Sequence, residues 1–82
     1  MRSNGLDEVE GMLRLFIVEE LLDDPYSGDD PLADKAVDSL GHEQLAEFVE
    51  ESYGIRLDDE DMVKENFESL SALATLVEAK RR

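Results

Sequence analysis

A chain of 82 residues holds one domain at most, and a domain this small buries only about 60% of its unfolded surface, too little to build a deep active site around. Asp and Glu number 22 against 8 Lys and Arg, a net charge of −14, which repels phosphate backbones and anionic lipid and argues against nucleic-acid or membrane partners. There is no cysteine, so disulfides and thiolate zinc sites are excluded, and with no apolar run of membrane-spanning length and no signal-peptide apolar core behind Met1 a cytoplasmic location is expected.

The hydrophobic 41% of the chain is periodic, which separates it from a disordered acidic tail. Leu6, Val9, Met12, Leu13, Phe16, Ile17 and Leu21 recur at three- and four-residue spacing and predict a first helix over about 6–22. Ser3 or Asn4 caps it, Asp7, Glu8 and Glu10 favour its positive end, and Pro25 discourages its continuation. From 23 to 37 the pattern stops in favour of Pro25, Ser27, Gly28, Asp29, Asp30 and Pro31, a long loop tacked to the core by Leu32 and Val37.

A second helix is expected over 39–53, with Asp38 or Ser39 as its cap. Its inner face is Leu40, Leu45, Phe48, Val49 and Tyr53, its outer face is mostly Glu43, Glu47, Glu50 and Glu51, and Gly54 stops it. A brief third helix over 59–64 follows, capped by Asp58 or Asp59. A fourth runs over 69–80, with Ser69 as cap, an apolar face of Leu70, Leu73, Ala74 and Val77, and Lys80, Arg81 and Arg82 at its negative end. The expected fold is all-α: a small four-helix bundle of three long helices and one short one, in a single domain spanning 1–82.

The segment Ala36–Gly41 places the Ser39 hydroxyl where a long loop meets a helix start, beside Asp38. A helix N-terminus offers free amides and partial positive charge, so a phosphate ester on that hydroxyl is electrostatically well placed. A serine there also serves as an ordinary cap, and the tripeptide Asp38-Ser39-Leu40 does not choose between the two.

The order of parts around the tripeptide does. A long first helix, a long loop, Asp38-Ser39-Leu40 opening an acidic second helix, Tyr53-Gly54-Ile55 at its exit, a short third helix and Asn66-Phe67-Glu68-Ser69-Leu70 leading into the last resemble the acyl and peptidyl carrier protein family over nearly the whole chain. The resemblance implies a carrier with no turnover of its own. A separate phosphopantetheinyl transferase, which requires Mg²⁺, attaches 4′-phosphopantetheine from coenzyme A to Ser39, and acyl or aminoacyl groups then travel as thioesters on the arm's thiol. It also implies that Asp38 assists the transferase, and that Leu40 with Glu43, Gln44, Glu47, Glu50 and Glu51 forms a recognition face for basic patches on loading and downstream enzymes. A freestanding monomer is expected.

Fatty-acid carriers usually have one acidic residue just after the Ser-Leu pair, where this chain has Gly41-His42, and another where Gln44 stands. The family often has an aromatic residue early in the loop and glycine shortly before the Asp-Ser pair, where Pro31-Leu32 and Ala36 stand here. These departures favour a specialised polyketide, nonribosomal peptide or aminoacyl pathway over fatty-acid synthesis. The inner residues Leu45, Val49, Leu57, Phe67 and Leu73 serve as core, or part to shelter an apolar cargo.

Three rivals come from other classes. Asp23–Asp34 has the twelve-residue length and the sixth-position glycine, Gly28, of a calcium-binding EF-hand loop, but Pro25 stands third and Asp34 replaces the final Glu. Ser39 and His42 are three apart on a helix, as a small hydrolase would need, without a nucleophile elbow or an orienting acid. A helical adaptor with an unmodified acidic face is the third.

Overall fold

Three apolar side chains four residues apart set the direction of the first helix: Val9, Leu13 and Ile17 are at most 1% exposed and form one stripe of the core. In the computed structural model, which describes residues 5–22 and 25–81, this helix, α1, spans Gly5–Phe16 and continues as a π-helical stretch over Ile17–Leu21. The Leu22 N–H closes that stretch on the Ile17 carbonyl at 3.0 Å. Met12, expected on the inner face, is 46% exposed, because the helix turns the side of Val9, Leu13 and Ile17, flanked by Phe16 and Leu21, to the core. The expected caps Ser3 and Asn4, the exit at Asp23 and Asp24, and Arg82 lie outside the described residues.

The following loop is fastened at both ends of a single turn. The Asp30 carboxylate accepts the Leu32 and Ala33 N–H groups at 3.1 and 3.0 Å, which caps the turn 31–35. The turn closes when Ala36 N–H bonds the Pro31 carbonyl and Lys35 N–H the Leu32 carbonyl, the Schellman pattern, with Lys35 in the left-handed position at φ 60°. Pro31, Leu32 and Val37 are buried, as the loop's anchors should be. Against α1, Arg14 donates to the Gly28 carbonyl at 2.8 Å, and Tyr26 donates to Asp34. Loss of solvent around the Tyr26 hydroxyl and the neighbouring Asp34 carboxylate push its pKa up to about 12.

Helix α2 spans Ser39–Tyr53 and ends at Gly54, whose φ of 65° is the left-handed conformation glycine adopts without strain. It buries Gly41, Leu45, Ala46 and Val49, with Phe48 stacked on Phe16 of α1 at 4.2 Å between ring centroids. The expected short third helix is instead two 3₁₀ turns, Asp59–Asp61 and Lys64–Phe67, separated by Val63 in extended conformation. Aspartates compete with the helical backbone for hydrogen bonds: the Asp58 N–H turns to the Asp61 carboxylate at 2.9 Å, and Asn66 donates to the Asp61 carbonyl at 2.9 Å.

Helix α3 spans Leu70–Arg81, with Ser69 Oγ accepting the Ala72 N–H at 3.0 Å as its cap. It packs chiefly on α1 and contributes Leu70, Leu73, Ala74 and Val77 to the core. Near its end, Lys80 reaches Asp61 at 2.7 Å and so ties the first 3₁₀ turn to the helix. The described residues are thus all-helical, with three α-helices, a compact core and no strand among them. No helix among the described residues is long and apolar enough to cross a membrane.

Candidate functional site

Asp38 and Ser39 divide the start of α2 between them. Asp38, in extended conformation, is the cap: its Oδ1 accepts the Gly41 N–H at 2.9 Å, and its carbonyl accepts the His42 N–H at 2.9 Å. Ser39 is the first helical residue, is exposed, and its hydroxyl has no hydrogen-bond partner among the described residues. The capping function open to either residue in the sequence therefore falls to Asp38, and the hydroxyl is left free.

Gly41 lets this helix start sit close to the loop. A Cβ built on it would lie 2.5 Å from Val37 Cγ1 and 3.4 Å from Asp38 Oδ1, so a side chain at this position is excluded unless the loop moves. Two clefts flank the junction. One, of about 280 Å³, is lined by Ser39 itself with Leu32, Val37, His42 and Phe67, and by Lys35 and Lys64. The other, of about 310 Å³, lies across Asp38 and Leu40 and includes Glu20, Leu21 and Gln44, but not Ser39.

His42 forms a wall of the first cleft by stacking on Phe67, with ring centroids 5.1 Å apart. Burial lowers its pKa below the ordinary 6.5, against the opposing pull of the Asp38 carboxylate. Among the described residues no hydrogen bond joins His42 to Ser39, so the pair is not arranged as nucleophile and base.

Of the remaining residues singled out on α2, Leu40 is 62% exposed, which removes it from the inner face and places it beside Ser39 on the surface. Glu43, Gln44, Glu47 and Glu51 are exposed as well. Glu50 differs: it is half-buried, and its Oε2 accepts the Leu57 N–H at 2.8 Å, holding the chain that leaves the helix. Leu45, Val49, Phe67 and Leu73 are core residues and Leu57 packs against them.

Compared with family models, curated proteins and solved structures, the chain finds no match.

A depression of about 880 Å³ lies at the far end of α2 among Glu50, Glu51, Arg56, Asp58, Asp59 and Glu60, away from Ser39. No group of three or more carboxylates or histidines among the described residues is arranged to hold a metal ion. In the stretch with EF-hand length, Asp30 and Asp34 are occupied by backbone amides and by Tyr26, and Asp23 lies outside the described residues.

Sequence reasoning missed Lys35 and Lys64. Between Arg14 and Lys80 the chain has three cations, Lys35, Arg56 and Lys64, and two of them line the cleft that contains Ser39. Their scarcity in so acidic a chain was the available signal. Their convergence depends on the loop and the second 3₁₀ turn meeting at α2.

Proposed function

We propose that this chain is an acyl carrier protein whose Ser39 takes a 4′-phosphopantetheine arm from coenzyme A and whose cargo is an acyl or aminoacyl group held as a thioester. One observation carries the reading: Asp38 caps α2, so the adjacent Ser39 hydroxyl is exposed and unpartnered at the helix start. The cap does not depend on that hydroxyl, which leaves it open to a modifying enzyme. Three α-helices, with two 3₁₀ turns where the family has its short third helix, accord with the four-helix layout of such carriers.

The surroundings of Ser39 suit a phosphodiester. The first turn of α2 points amides and partial positive charge towards this end of the helix, and Lys35 and Lys64 line the same cleft. When bound, the arm supplies the thiol that a chain without cysteine lacks. The residues of the chain bind and orient: Asp38 holds the first turn and with it the serine, and assists docking of the Mg²⁺-dependent transferase.

Leu40 with Glu43, Gln44, Glu47 and Glu51 forms the exposed recognition face, and Glu50 adds charge at its edge while bracing Leu57. These carboxylates steer basic patches on loading and downstream enzymes, mainly through the rate and choice of encounter, an effect that fades with salt. Gly41 and His42, which depart from the fatty-acid carrier pattern, pack against Val37 and Phe67. Partner choice therefore falls to exposed Gln44 and Ala36, and we assign the chain to a specialised polyketide or nonribosomal peptide-type pathway, as a cytoplasmic monomer without turnover of its own.

Intact mass tests the reading. Incubation with coenzyme A, Mg²⁺ and a broad-specificity phosphopantetheinyl transferase should add one phosphopantetheine to the wild-type chain and none to Ser39→Ala. No mass gain, or a gain that survives Ser39→Ala, overturns it.

A further inference from the structure

Lys35 occupies a backbone position that suits a different residue. At φ 60° it closes the loop turn in the left-handed conformation, where a Cβ crowds the backbone and glycine is the usual choice. Residues kept in such conformations cluster at sites where the side chain has work to do. The cleft that Lys35 lines is the one containing Ser39, and Lys64 lines it as well. Neither lysine forms an ion pair among the described residues, whereas Lys80 and Arg81 do. Asp38 and Glu68 line the same cleft but bond to neither lysine, so both ammonium groups remain open to a further anion.

We infer that Lys35 and Lys64 pair with the phosphodiester of a Ser39-linked arm and seat the arm's first segment in the Phe67–His42 cleft. The inference rests on the carrier reading and adds to it the side of Ser39 on which the arm lies. Three features favour this side. Ser39 lines this cleft and not the opposite one, the opposite cleft has Glu20 and no lysine, and the floor here is apolar with Leu32, Val37 and Phe67. Asp38 and Glu68 also line the cleft, so without the lysines a phosphodiester there would meet two unopposed carboxylates. A phosphodiester bonded by ammonium groups in a partly enclosed cleft is held more firmly than one on open surface. Lys35 and Lys64 are accordingly positioning residues.

The test compares apo and holo protein by NMR after intact mass has shown complete loading of each variant. In wild-type protein, loading should shift the Leu32, Val37, His42 and Phe67 signals, bring the arm into proton contact with the Phe67 ring, and leave Glu20 and Gln44 unmoved. Lys35→Gly should raise the melting temperature of the apo protein, because it relieves the left-handed residue, and yet lose the holo shifts at Phe67. Lys64→Gln should lose them too, and the double variant should carry an arm with the sharp phosphorus and amide signals of a free chain. A lysine with a purely structural role would leave the arm's contacts intact in both variants. Sharp, free arm signals in loaded wild-type protein, shifts that survive the double substitution, or shifts centred on Glu20 and Gln44 would each overturn the inference while the carrier reading stood. A wild-type chain that gains no mass overturns both.

Discussion

The Asp30 carboxylate accepts the backbone N–H of Leu70 at 3.1 Å, joining residues 40 apart in the chain. The same carboxylate caps the loop turn through Leu32 and Ala33. One side chain therefore starts both the turn that leads to Ser39 and the final helix, and it holds the two together. The position of the Ser39 junction relative to the core depends on this loop as much as on α2.

Asp30→Ala removes the acceptor for three backbone donors at once. Loss of a cap together with partly buried orphan amides is expected to cost about 2 kcal/mol, read from the midpoint of urea unfolding. Asp30→Asn keeps one oxygen acceptor and should lose less. Amide exchange at Leu32 and Leu70 should accelerate together in the alanine variant; acceleration at only one would mean that the carboxylate does not couple the two elements.

Gly41→Ala tests the closeness of loop and helix. The added methyl would lie 2.5 Å from Val37 Cγ1, and overpacking of this kind is expected to destabilise by about 2 kcal/mol. Val37→Ala makes room for it, so the double variant should be more stable than the sum of the single losses implies. Strict additivity would show that the two side chains do not compete for the same space.

Much of the helical layout was legible because it is local. The spacing of Val9, Leu13 and Ile17, the Ser69 cap and the stop at Gly54 each act within one or two turns, and the structure contains all three. The π-helical stretch at Ile17–Leu21 was not legible, since the same apolar spacing serves either helical register. The aspartates around Asp59 indicated a helix start, but their side chains bond backbone amides and shorten it to 3₁₀ turns. At the site, Asp38 and Ser39 were evident as a pair, but which one caps is decided by side-chain geometry. Glu50 looked like a free outer-face charge because its partner, Leu57, lies beyond the end of the helix. Lys35 had no local signal at all, since nothing about a lysine announces a left-handed backbone.

His42 makes folding sensitive to pH near neutrality. Burial against Phe67 lowers its pKa in the folded state below 6.5, so over that interval the unfolded chain binds more protons than the folded one. The stabilisation is fully present above pH 6.5 and is lost as pH falls through that value towards the folded pKa. His42→Gln should flatten this limb of the urea midpoint against pH. An unchanged slope would place the titrating group elsewhere.

A second loss is expected in acid. Hydrogen bonding to Lys80, with the Asp58 backbone N–H, holds the Asp61 carboxyl below its ordinary 3.8. Stability from this contact is present above pH 3.8 and disappears as pH falls through the lower folded value. Lys80, raised above 10.5 chiefly by its bond to Asp61, loses the same contact only as pH climbs through its own raised value. Lys80→Met should bring the Asp61 pKa back towards its ordinary value, with the Asp58 N–H still lowering it, measured directly by NMR titration of the carboxyl carbon.

The sharpest comparison lies between the two residues at the start of α2. Asp38→Ala removes the acceptor of the Gly41 N–H and is expected to cost about 1 kcal/mol, the usual price of a lost N-cap. Ser39→Ala removes an exposed hydroxyl without a partner among the described residues and should change stability by no more than about 0.5 kcal/mol. If the proposed carrier function holds, the order should reverse for modification: Ser39→Ala should abolish phosphopantetheine attachment, while Asp38→Ala should slow it and leave the hydroxyl modifiable. Urea unfolding and a timed mass assay on the same pair of variants measure both orders. Equal stability losses would mean that Ser39 shares the capping role, and the observation that most favours a carrier would no longer hold.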